Sequence, residues 1–204
     1  MAKLRFVYAP MSSGKSLRLL SLAHDFSERN ISFLLLKPSA DTRDGENVIK
    51  SRAGLEMKCL SVEPNDNILQ IVKDNYRIRM AAFAKPIQWV LVDECQFLTE
   101  EQIDQLSDIV DYMDIEVMCY GLRTDFKSKL FPASKRLFEL ADEIEEIKCY
   151  CDCGSKASIN ARFSPEGKII TEGSQILVGG DDLYHAICRK DWKRLIRESI
   201  MSEN

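Results

Sequence analysis

The segment from Ala9 to Ser16 constrains the fold of this 204-residue chain more than any other. It fits the pattern G-x-x-x-x-G-K-[ST], except that Ala9 replaces the first glycine. An alternating apolar pattern over Lys3–Tyr8 precedes it, and apolar residues at helical spacing follow it over 16–29. A turn of this kind between a strand and a helix directs backbone N–H groups at a phosphate. The sequence therefore predicts a phosphate-binding loop at the first strand–helix connection.

Each part of this loop has an expected task in binding a nucleoside triphosphate. The expected nucleotide-binding residues are Ala9, Pro10, Met11, Ser12, Ser13, Gly14, Lys15 and Ser16. Gly14 permits a close approach of the backbone to phosphate. Lys15 neutralises the β- and γ-phosphates, and Ser16 offers a hydroxyl to Mg²⁺. The alternative is a turn that only caps an amphipathic helix.

The chain continues as an alternation of strand and helix patterns up to about residue 147. Further strands are predicted at Ser32–Lys37, Gln88–Val92 and Ile115–Tyr120, and further helices at Asp66–Met80 and after a Thr99–Gln102 capping box. Strands that alternate with crossover helices form a parallel sheet covered on both faces. The predicted fold class is therefore α/β, a P-loop (RecA-like) parallel sheet flanked by helices. The acidic run 142–146 is expected to be a solvated face.

Two acids, Asp93 and Glu94, follow the strand predicted at Gln88–Val92. Asp93 is expected to hold Mg²⁺ opposite Ser16. Because consecutive residues of a strand point to opposite sides, Glu94 is expected to face an acceptor substrate and to take a proton from a hydroxyl or a water. The alternative is a pair of solvated acids. The loop and the acids together favour phosphoryl transfer.

A cysteine cluster marks a change of pattern near residue 148, after which five of the nine glycines fall. The pairs Cys151-x-Cys153 and Cys188-x-x-Asp191 have the spacing of a structural zinc site, which would stabilise a segment without a core of its own. Asp191 is the first choice for the fourth ligand, with His185 or Cys149 as alternatives. The alternative to a metal site is a set of buried reduced cysteines. The predicted domains are 1–147 for nucleotide binding and 148–192 for a small zinc ribbon, with a tail over 193–204.

The composition argues against several classes of function. With 28 Lys and Arg against 32 Asp and Glu, the net charge of −4 disfavours a protein whose main task is to bind nucleic acid. No apolar run is long enough to cross a membrane. Seven cysteines without a secretory leader do not suggest a disulfide framework, so we expect a cytoplasmic protein.

Several motifs in order resemble those of the type II thymidine kinases. They are Met11 in the phosphate loop, Val92–Phe97, Cys119–Phe126, Cys151–Ala157, Val178–Gly180, Tyr184 and Cys188–Lys190. Together they extend from about residue 4 to about residue 192. The position of Asp191, where the family has Cys or His, is a departure from the family pattern.

The resemblance implies transfer of the γ-phosphate of ATP to the 5′-hydroxyl of thymidine or deoxyuridine, with Glu94 as general base. Asp93, Glu94, Cys95 and Gln96 then belong to the nucleotide site, with Mg²⁺ held by Ser16 and Asp93. The residues matching the nucleoside site are Leu122, Phe126, Phe131, Gln175, Ile176, Leu177, Val178, Gly179 and Tyr184. Of these, 175–179 match a lasso loop that binds thymine through its backbone, and the alternative for the three apolar residues 122, 126 and 131 is ordinary core packing.

The resemblance also implies a homotetramer and feedback inhibition by the thymidine triphosphate. It suggests a place in the active site for Asp41 and Arg43, with a solvated loop pair as the alternative that explains them nearly as well. Two further hypotheses compete: a zinc-ribbon P-loop ATPase acting on nucleic acid, and a regulatory P-loop protein that binds nucleotide without transferring phosphate. The preference between thymidine and deoxyuridine stays open.

Overall fold

A parallel sheet of six strands forms the centre of the computed structural model, which describes residues 1–43, 45–175 and 183–202. The strands are β1 (Leu4–Tyr8), β2 (Phe33–Pro38), β3 (Val48–Lys50), β4 (Glu56–Lys58), β5 (Leu60–Val62), β6 (Trp89–Val92), β7 (Glu116–Gly121), β8 (Glu143–Glu146), β9 (Ile159–Phe163), β10 (Ile169–Ile170) and β11 (Tyr184–Ile187). The helices are α1 (Lys15–Glu28), α2 (Ile68–Ala81), α3 (Glu100–Met113), α4 (Pro132–Leu140) and α5 (Arg189–Ser202). The order across the large sheet is β5-β2-β6-β7-β1-β8.

The strand order brings three loops to one edge of the sheet. β7 lies between β1 and β6, with Tyr8 opposite Gly121 and Val92 opposite Cys119. In a parallel sheet the carboxyl ends of the strands share one edge, which is where open α/β sheets bind ligands. The loops that follow β1, β6 and β7 therefore meet at one place.

Two apolar clusters hold helices against the two faces of the sheet. On one face, buried residues of α2, α3 and α4 such as Val72, Leu106 and Leu137 pack against the sheet. On the other face, α1 packs through Leu19, Leu20, Ala23 and Phe26, together with Ile49 of β3. The hydrophobic patterns in the helices account for both layers. This arrangement confirms the predicted parallel sheet covered on both faces.

The four predicted strands of the large sheet and the predicted helices are present, with ends shifted by a few residues. The predicted capping box is also confirmed, because the Thr99 hydroxyl accepts from the Gln102 backbone N–H and the Gln102 side chain accepts from the Thr99 N–H, each at 3.1 Å. The C-terminal segment forms a helix that begins at Arg189.

The sequence patterns missed the β3–β4 hairpin and the edge strands β5 and β8. The acidic run forms β8, which pairs in parallel with β1. Its side chains are largely exposed as expected, and ion pairs of Glu143 with Lys3 and Arg5 offset their charge. A short edge strand with charged side chains carries no apolar alternation, so its pattern is that of a solvated loop.

A small antiparallel sheet of order β10-β9-β11 follows the large one. Its core contains Ile159, Ala161 and Ile187 with two cysteines, Cys151 and Cys188, and α5 packs against it through Trp192, Leu195 and Ile196. None of the helices in the described residues combines the length and the apolar character that a membrane crossing requires.

Gly121 ends β7 where the chain passes tightly over the loop after β6. A Cβ atom at Gly121 would lie 2.6 Å from Cys95 Sγ and 2.7 Å from Gln96 Oε1, and both residues are buried. We predict that Gly121→Ala lowers the free energy of unfolding by about 1–3 kcal/mol, measured by urea denaturation, because a packed core must shift. Cys95→Ala in the same chain should recover part of the loss. Unchanged stability of Gly121→Ala would contradict this packing.

Candidate functional site

A cavity of about 730 Å³ lies where the loops after β1, β6 and β7 meet one end of the small sheet. The predicted site residues that line it are Met11, Ser12, Ser13, Gly14, Lys15, Ser16, Asp93, Glu94, Gln96, Leu122, Phe126, Phe131, Gln175 and Tyr184. Ala9, Pro10 and Cys95 are buried and are not among the residues that line it. The predicted residues Ile176, Leu177, Val178 and Gly179 lie outside the described residues.

The loop after β1 has the backbone form of an anion-binding turn. Ser12 and Gly14 both have positive φ, 59° and 82°, and Gly14 precedes the first residue of α1. Ala9 is not among the positive-φ residues, so an alanine is tolerated where the usual pattern has glycine. The N-terminus of α1 therefore presents its free N–H groups to the cavity.

Lys15 is a buried cation at the base of this loop. Its side chain is 6% exposed and its Nζ donates to the carbonyl of Pro10 at 2.9 Å. Burial lowers the pKa of Lys15, and the nearby Glu94 and Asp93 carboxylates oppose that effect. Because the cation is desolvated, its attraction for an incoming anion is stronger than it would be at the surface.

Asp93 is a buried acid with one oxygen, Oδ1, that has no hydrogen-bond partner among the residues that the structure describes. Burial raises the pKa of Asp93 to about 7, and repulsion from Glu94 contributes in the same direction, while the Ser16 hydroxyl and Lys15 act to lower it. An unsatisfied buried carboxylate oxygen beside a serine hydroxyl fits the oxygen ligand set that Mg²⁺ prefers.

Glu94 lies in the same cavity as Asp93, which corrects the expectation that the two acids face opposite sides. Its backbone is left-handed, with φ 49° and ψ 38°, because the chain leaves the strand here for a 3-10 turn at Cys95–Phe97. The alternation of a strand therefore does not apply at this residue. Both carboxylates line the one cavity.

Glu94 is held from two sides. Its Oε1 lies 2.8 Å from Arg43 Nη2, and its Oε2 accepts from Gln96 Nε2 at 2.5 Å. Burial acts to raise the pKa of Glu94, but the charges of Arg43 and Lys15 outweigh it, so this pKa lies below its ordinary value. Glu94 is therefore ionised and fixed in direction.

Asp41 and Arg43 belong to the cavity and are not a solvated loop pair. Both line it, Asp41 is 6% exposed, and Arg43 Nε donates to Asp41 Oδ1 at 2.6 Å. The guanidinium of Arg43 thus bridges the carboxylates of Asp41 and Glu94. Two buried carboxylates and one partly exposed cation form a charge network.

Apolar and aromatic side chains line the far side of the cavity. Leu122, Phe126 and Phe131 are 7%, 1% and 3% exposed, and the Leu122 N–H donates to Gln96 Oε1 at 2.9 Å. The ring of Phe131 meets that of Phe97 edge to face, with centroids 6.0 Å apart. These three residues are packed in the core and also line the cavity. Core packing and a place beside a bound nucleoside, the two interpretations from sequence, are therefore compatible.

Asn160 is a cavity residue that the sequence analysis missed. Its Oδ1 accepts from the Met11 N–H at 2.7 Å, and its Nδ2 donates to the Thr124 carbonyl at 2.9 Å. It thereby joins the loop after β1 to β9 and to the segment after β7. Asparagine has a low propensity for strands, and its presence in the short strand β9 is the sequence feature that could have marked Asn160 as a site residue.

The cysteine cluster lies apart from the cavity and contains the four residues preferred in the sequence analysis. One ligand atom from each of Cys151, Cys153, Cys188 and Asp191 lies within 4.8 Å of all the others. Within the part of the chain that is described, neither His185 nor Cys149 belongs to this group. Hydrogen bonds from the three thiols hold the pKa of Asp191 at about 2. Three thiols and a carboxylate at this separation fit a tetrahedral zinc site.

The fold and this cavity define a P-loop protein of the phosphoryl-transfer class. A phosphate loop at the first crossover and an acid after the neighbouring strand are the parts that such proteins share. The carboxylate of Glu94 and the aromatic pocket beside it suit an acceptor other than water.

The sequence model of the family described as thymidine kinase matches residues 2–192. This match covers nearly the whole chain, so the chain belongs to the thymidine kinase family.

Thymidine kinases from a virus and two bacteria are similar over nearly their full length. The thymidine kinase of enterobacteria phage T4 is 44% identical over 198 residues, covering 97% of this chain and 99% of that protein. Those of Rhodopirellula baltica and Shewanella oneidensis are 42% and 40% identical, covering 100% and 96% of this chain and 93% and 99% of the relatives. Among solved structures, the Pif1 helicase from Candida albicans is 14% identical with a TM-score of 0.40, covering 72% of this chain and 36% of the helicase.

The raised pKa of Asp93 predicts a pH-dependent cost to the fold. Because this pKa is about 7 in the folded chain against an ordinary value of 3.8, the folded state binds the proton more tightly and loses stability as the pH rises between those values. In metal-free buffer, Asp93→Asn should be no more stable than the original chain at pH 4 and more stable at pH 8 by up to about 4 kcal/mol, because each unit of the raised pKa corresponds to about 1.4 kcal/mol. Thermal unfolding from pH 4 to pH 8 measures this.

Asp104→Asn provides the control, because Asp104 lies on α3 and pairs with Arg136 at the surface. It should show no gain that grows with pH. A pH–stability curve of Asp93→Asn that runs parallel to that of the original chain would contradict the prediction.

Proposed function

We propose that this chain transfers the γ-phosphate of ATP to the 5′-hydroxyl of thymidine, and also of deoxyuridine, giving the 5′-monophosphate. The observation that carries the proposal is the position of Glu94, which lies in one cavity with both the phosphate loop and the aromatic pocket. A phosphate donor and a nucleoside bound at these two ends would meet at its carboxylate. Membership of the thymidine kinase family supports this choice of acceptor.

The donor end is suited to a triphosphate. The N–H groups of residues 12–16 and the N-terminus of α1 would bind the β-phosphate, and Lys15 would exchange its contact with the Pro10 carbonyl for phosphate oxygens. Ser16 and the free oxygen of Asp93 would hold Mg²⁺. When bound, Mg²⁺ supplies positive charge that neutralises the phosphate oxygens.

The acceptor hydroxyl would lose its proton to Glu94. The 5′-oxygen forms a bond to the γ-phosphorus, the bond from that phosphorus to the β–γ bridging oxygen breaks, and the hydroxyl proton passes to the Glu94 carboxylate. Gln96 and Arg43 hold this carboxylate in place, since both contact it. Arg43 also places a cation near the transferred group, where negative charge is spread over the phosphoryl oxygens.

The apolar end would take the nucleoside. Leu122, Phe126 and Phe131 provide a surface for the base and sugar, and Tyr184 lies at its border. The backbone of 175–179 would bind the edge of thymine, whose alternating acceptors and donor match backbone groups. Gln175, the described residue of that segment, donates to Asp125 at 3.0 Å, which anchors the start of the segment at the cavity.

The cysteine cluster would hold a structural zinc ion that stabilises residues 148–192. Its donor set and its separation from the cavity support a structural task. Family membership also supports a homotetramer in the cytoplasm that the thymidine triphosphate inhibits, as part of thymidine salvage.

Replacement of the proposed base tests the mechanism. Glu94→Gln keeps the shape of the side chain and removes its capacity to accept a proton, so we predict that kcat falls by about 10²–10⁴-fold. Binding of ATP, measured by calorimetry, should change little. Turnover is measured as thymidine-dependent release of ADP.

Glu145→Gln is the matched control. Glu145 lies on β8 at the surface, where it pairs with Arg18, and it does not line the cavity. It should keep the original kcat. If Glu94→Gln also keeps it, Glu94 is not the base.

The fourth ligand of the zinc site is tested by Asp191→Ala. We predict that this variant binds zinc about 10-fold more weakly or worse, because only three thiols remain. After chelation, residues 150–191 should become more sensitive to protease than the large sheet. Asp152→Ala, an exposed acid between two of the cysteines, is the control and should bind zinc as before. Equal zinc affinity of the two variants would exclude Asp191 as a ligand.

A further inference from the structure

Lys37 on β2 is a lysine buried inside the protein. It is 1% exposed and follows three buried leucines, 34–36, along the strand. Removing an ammonium group from water is costly unless other groups compensate it closely. The surroundings of Lys37 therefore show which part of the protein this charge stabilises.

Among the described residues, the hydrogen-bond and ion-pair partners of the Lys37 ammonium are Asp41, Gly45 and Val48, which lie between β2 and the β3–β4 hairpin or at its start. Its Nζ donates to the carbonyls of Gly45 at 2.8 Å and Val48 at 3.1 Å, and it lies 3.8 Å from Asp41 Oδ2. The segment 41–48 leads from the end of β2 into the β3–β4 hairpin, and it contains Arg43. Lys37 thus connects Asp41, Gly45 and Val48 to the central sheet.

The contacts continue from Lys37 to the reacting end of the cavity. Asp41 forms an ion pair with Lys37 through Oδ2, at 3.8 Å, and accepts from Arg43 Nε through Oδ1 at 2.6 Å. The other side of the Arg43 guanidinium, Nη2, lies 2.8 Å from Glu94 Oε1. Lys37 itself does not line the cavity, so it acts on Glu94 only through Asp41 and Arg43.

We propose that Lys37 is a positioning residue for phosphoryl transfer, which fixes Asp41 and thereby directs Arg43 toward Glu94. This inference rests on the proposed function. A carboxylate that bonds Arg43 alone can move with it, whereas a carboxylate also held by a buried ammonium on a central strand cannot. The Arg43 guanidinium then meets the γ-phosphate and the Glu94 carboxylate in one orientation. Misplacement of such a group by about 1 Å costs about 10²-fold in rate.

The test begins with Lys37→Met, which keeps the length of the side chain and removes its charge and its donors. We expect kcat for thymidine to fall by about 10–100-fold, while KM for ATP and for thymidine each change by less than about 3-fold. We expect kcat to change and KM to stay nearly constant because the orientation of Arg43 relative to Glu94 would change while both substrate sites remain intact.

A double-mutant cycle with Asp41→Asn tests the route of the effect. If Lys37 acts through Asp41, Lys37→Met should lower kcat by less than about 2-fold in the Asp41→Asn background. A residue that only stabilises the fold would reduce kcat by the same factor in both backgrounds, and that result would overturn the proposal.

Gln102→Met is the matched control for stability. Gln102 is 2% exposed, and its Nε2 donates to the loop carbonyls of Glu63 at 2.8 Å and Asp66 at 3.1 Å, away from the cavity. This variant also loses a buried donor to two loop carbonyls, so it should lower Tm and keep kcat. An unchanged kcat in Lys37→Met would overturn the proposal.

Lys37→Gln repeats the cycle with a neutral side chain that keeps donors for the carbonyls. If Lys37→Met does not fold, this variant decides between the outcomes, and failure of both to fold would overturn the positioning role in favour of a purely structural one. The original chain is assayed first. Absence of thymidine phosphorylation there refutes the proposed function, whereas its presence with unchanged Lys37 variants refutes this inference alone.

Discussion

Charges of opposite sign, buried together at the carboxyl edge of the sheet, are the constraint on which the site depends. Lys15, Asp93 and Glu94 are buried, and the partly exposed Arg43 contacts Glu94. A single buried charge of this kind would destabilise the fold, whereas an alternating network is tolerated. The same network leaves an oxygen of Asp93 and the Lys15 ammonium ready for a cation and an anion. The buried charges therefore lower the stability of the empty site, and a bound nucleotide with its metal ion would restore that stability.

The parallel sheet makes this clustering geometrically simple. β1, β6 and β7 are neighbours, so the loops that follow them meet without any long excursion of the chain. The segment after β2 adds Asp41 and Arg43 from one side, and β9 adds Asn160 from the other. Glu94, the phosphate loop and the aromatic pocket thus share one cavity, although they are far apart in sequence.

Local patterns were sufficient for the parts of the site that are local. The phosphate loop lies between a strand and a helix as expected, and the Thr99–Gln102 capping box predicted the start of α3. What the sequence could not supply were the contacts between distant segments. The ion pair of Arg43 with Glu94 and the bonds of Asn160 to Met11 depend on the packing of separate elements. For Glu94 the argument from strand alternation does not apply, because a left-handed residue interrupts the strand at this position. The choice among Asp191, His185 and Cys149 likewise needed the folding of β11 and α5 around the cysteines.

The central claim is that the carboxylate of Glu94 serves a nucleoside acceptor and not water. Phosphorus NMR of the original chain with ATP, Mg²⁺ and thymidine measures this directly, because it resolves the 5′-monophosphate, ADP and inorganic phosphate in one spectrum. The account predicts that the thymidine 5′-monophosphate and ADP appear in equal amounts and that neither forms rapidly without thymidine. The account would be contradicted if ADP appeared together with inorganic phosphate, and without the thymidine 5′-monophosphate, at a rate independent of thymidine.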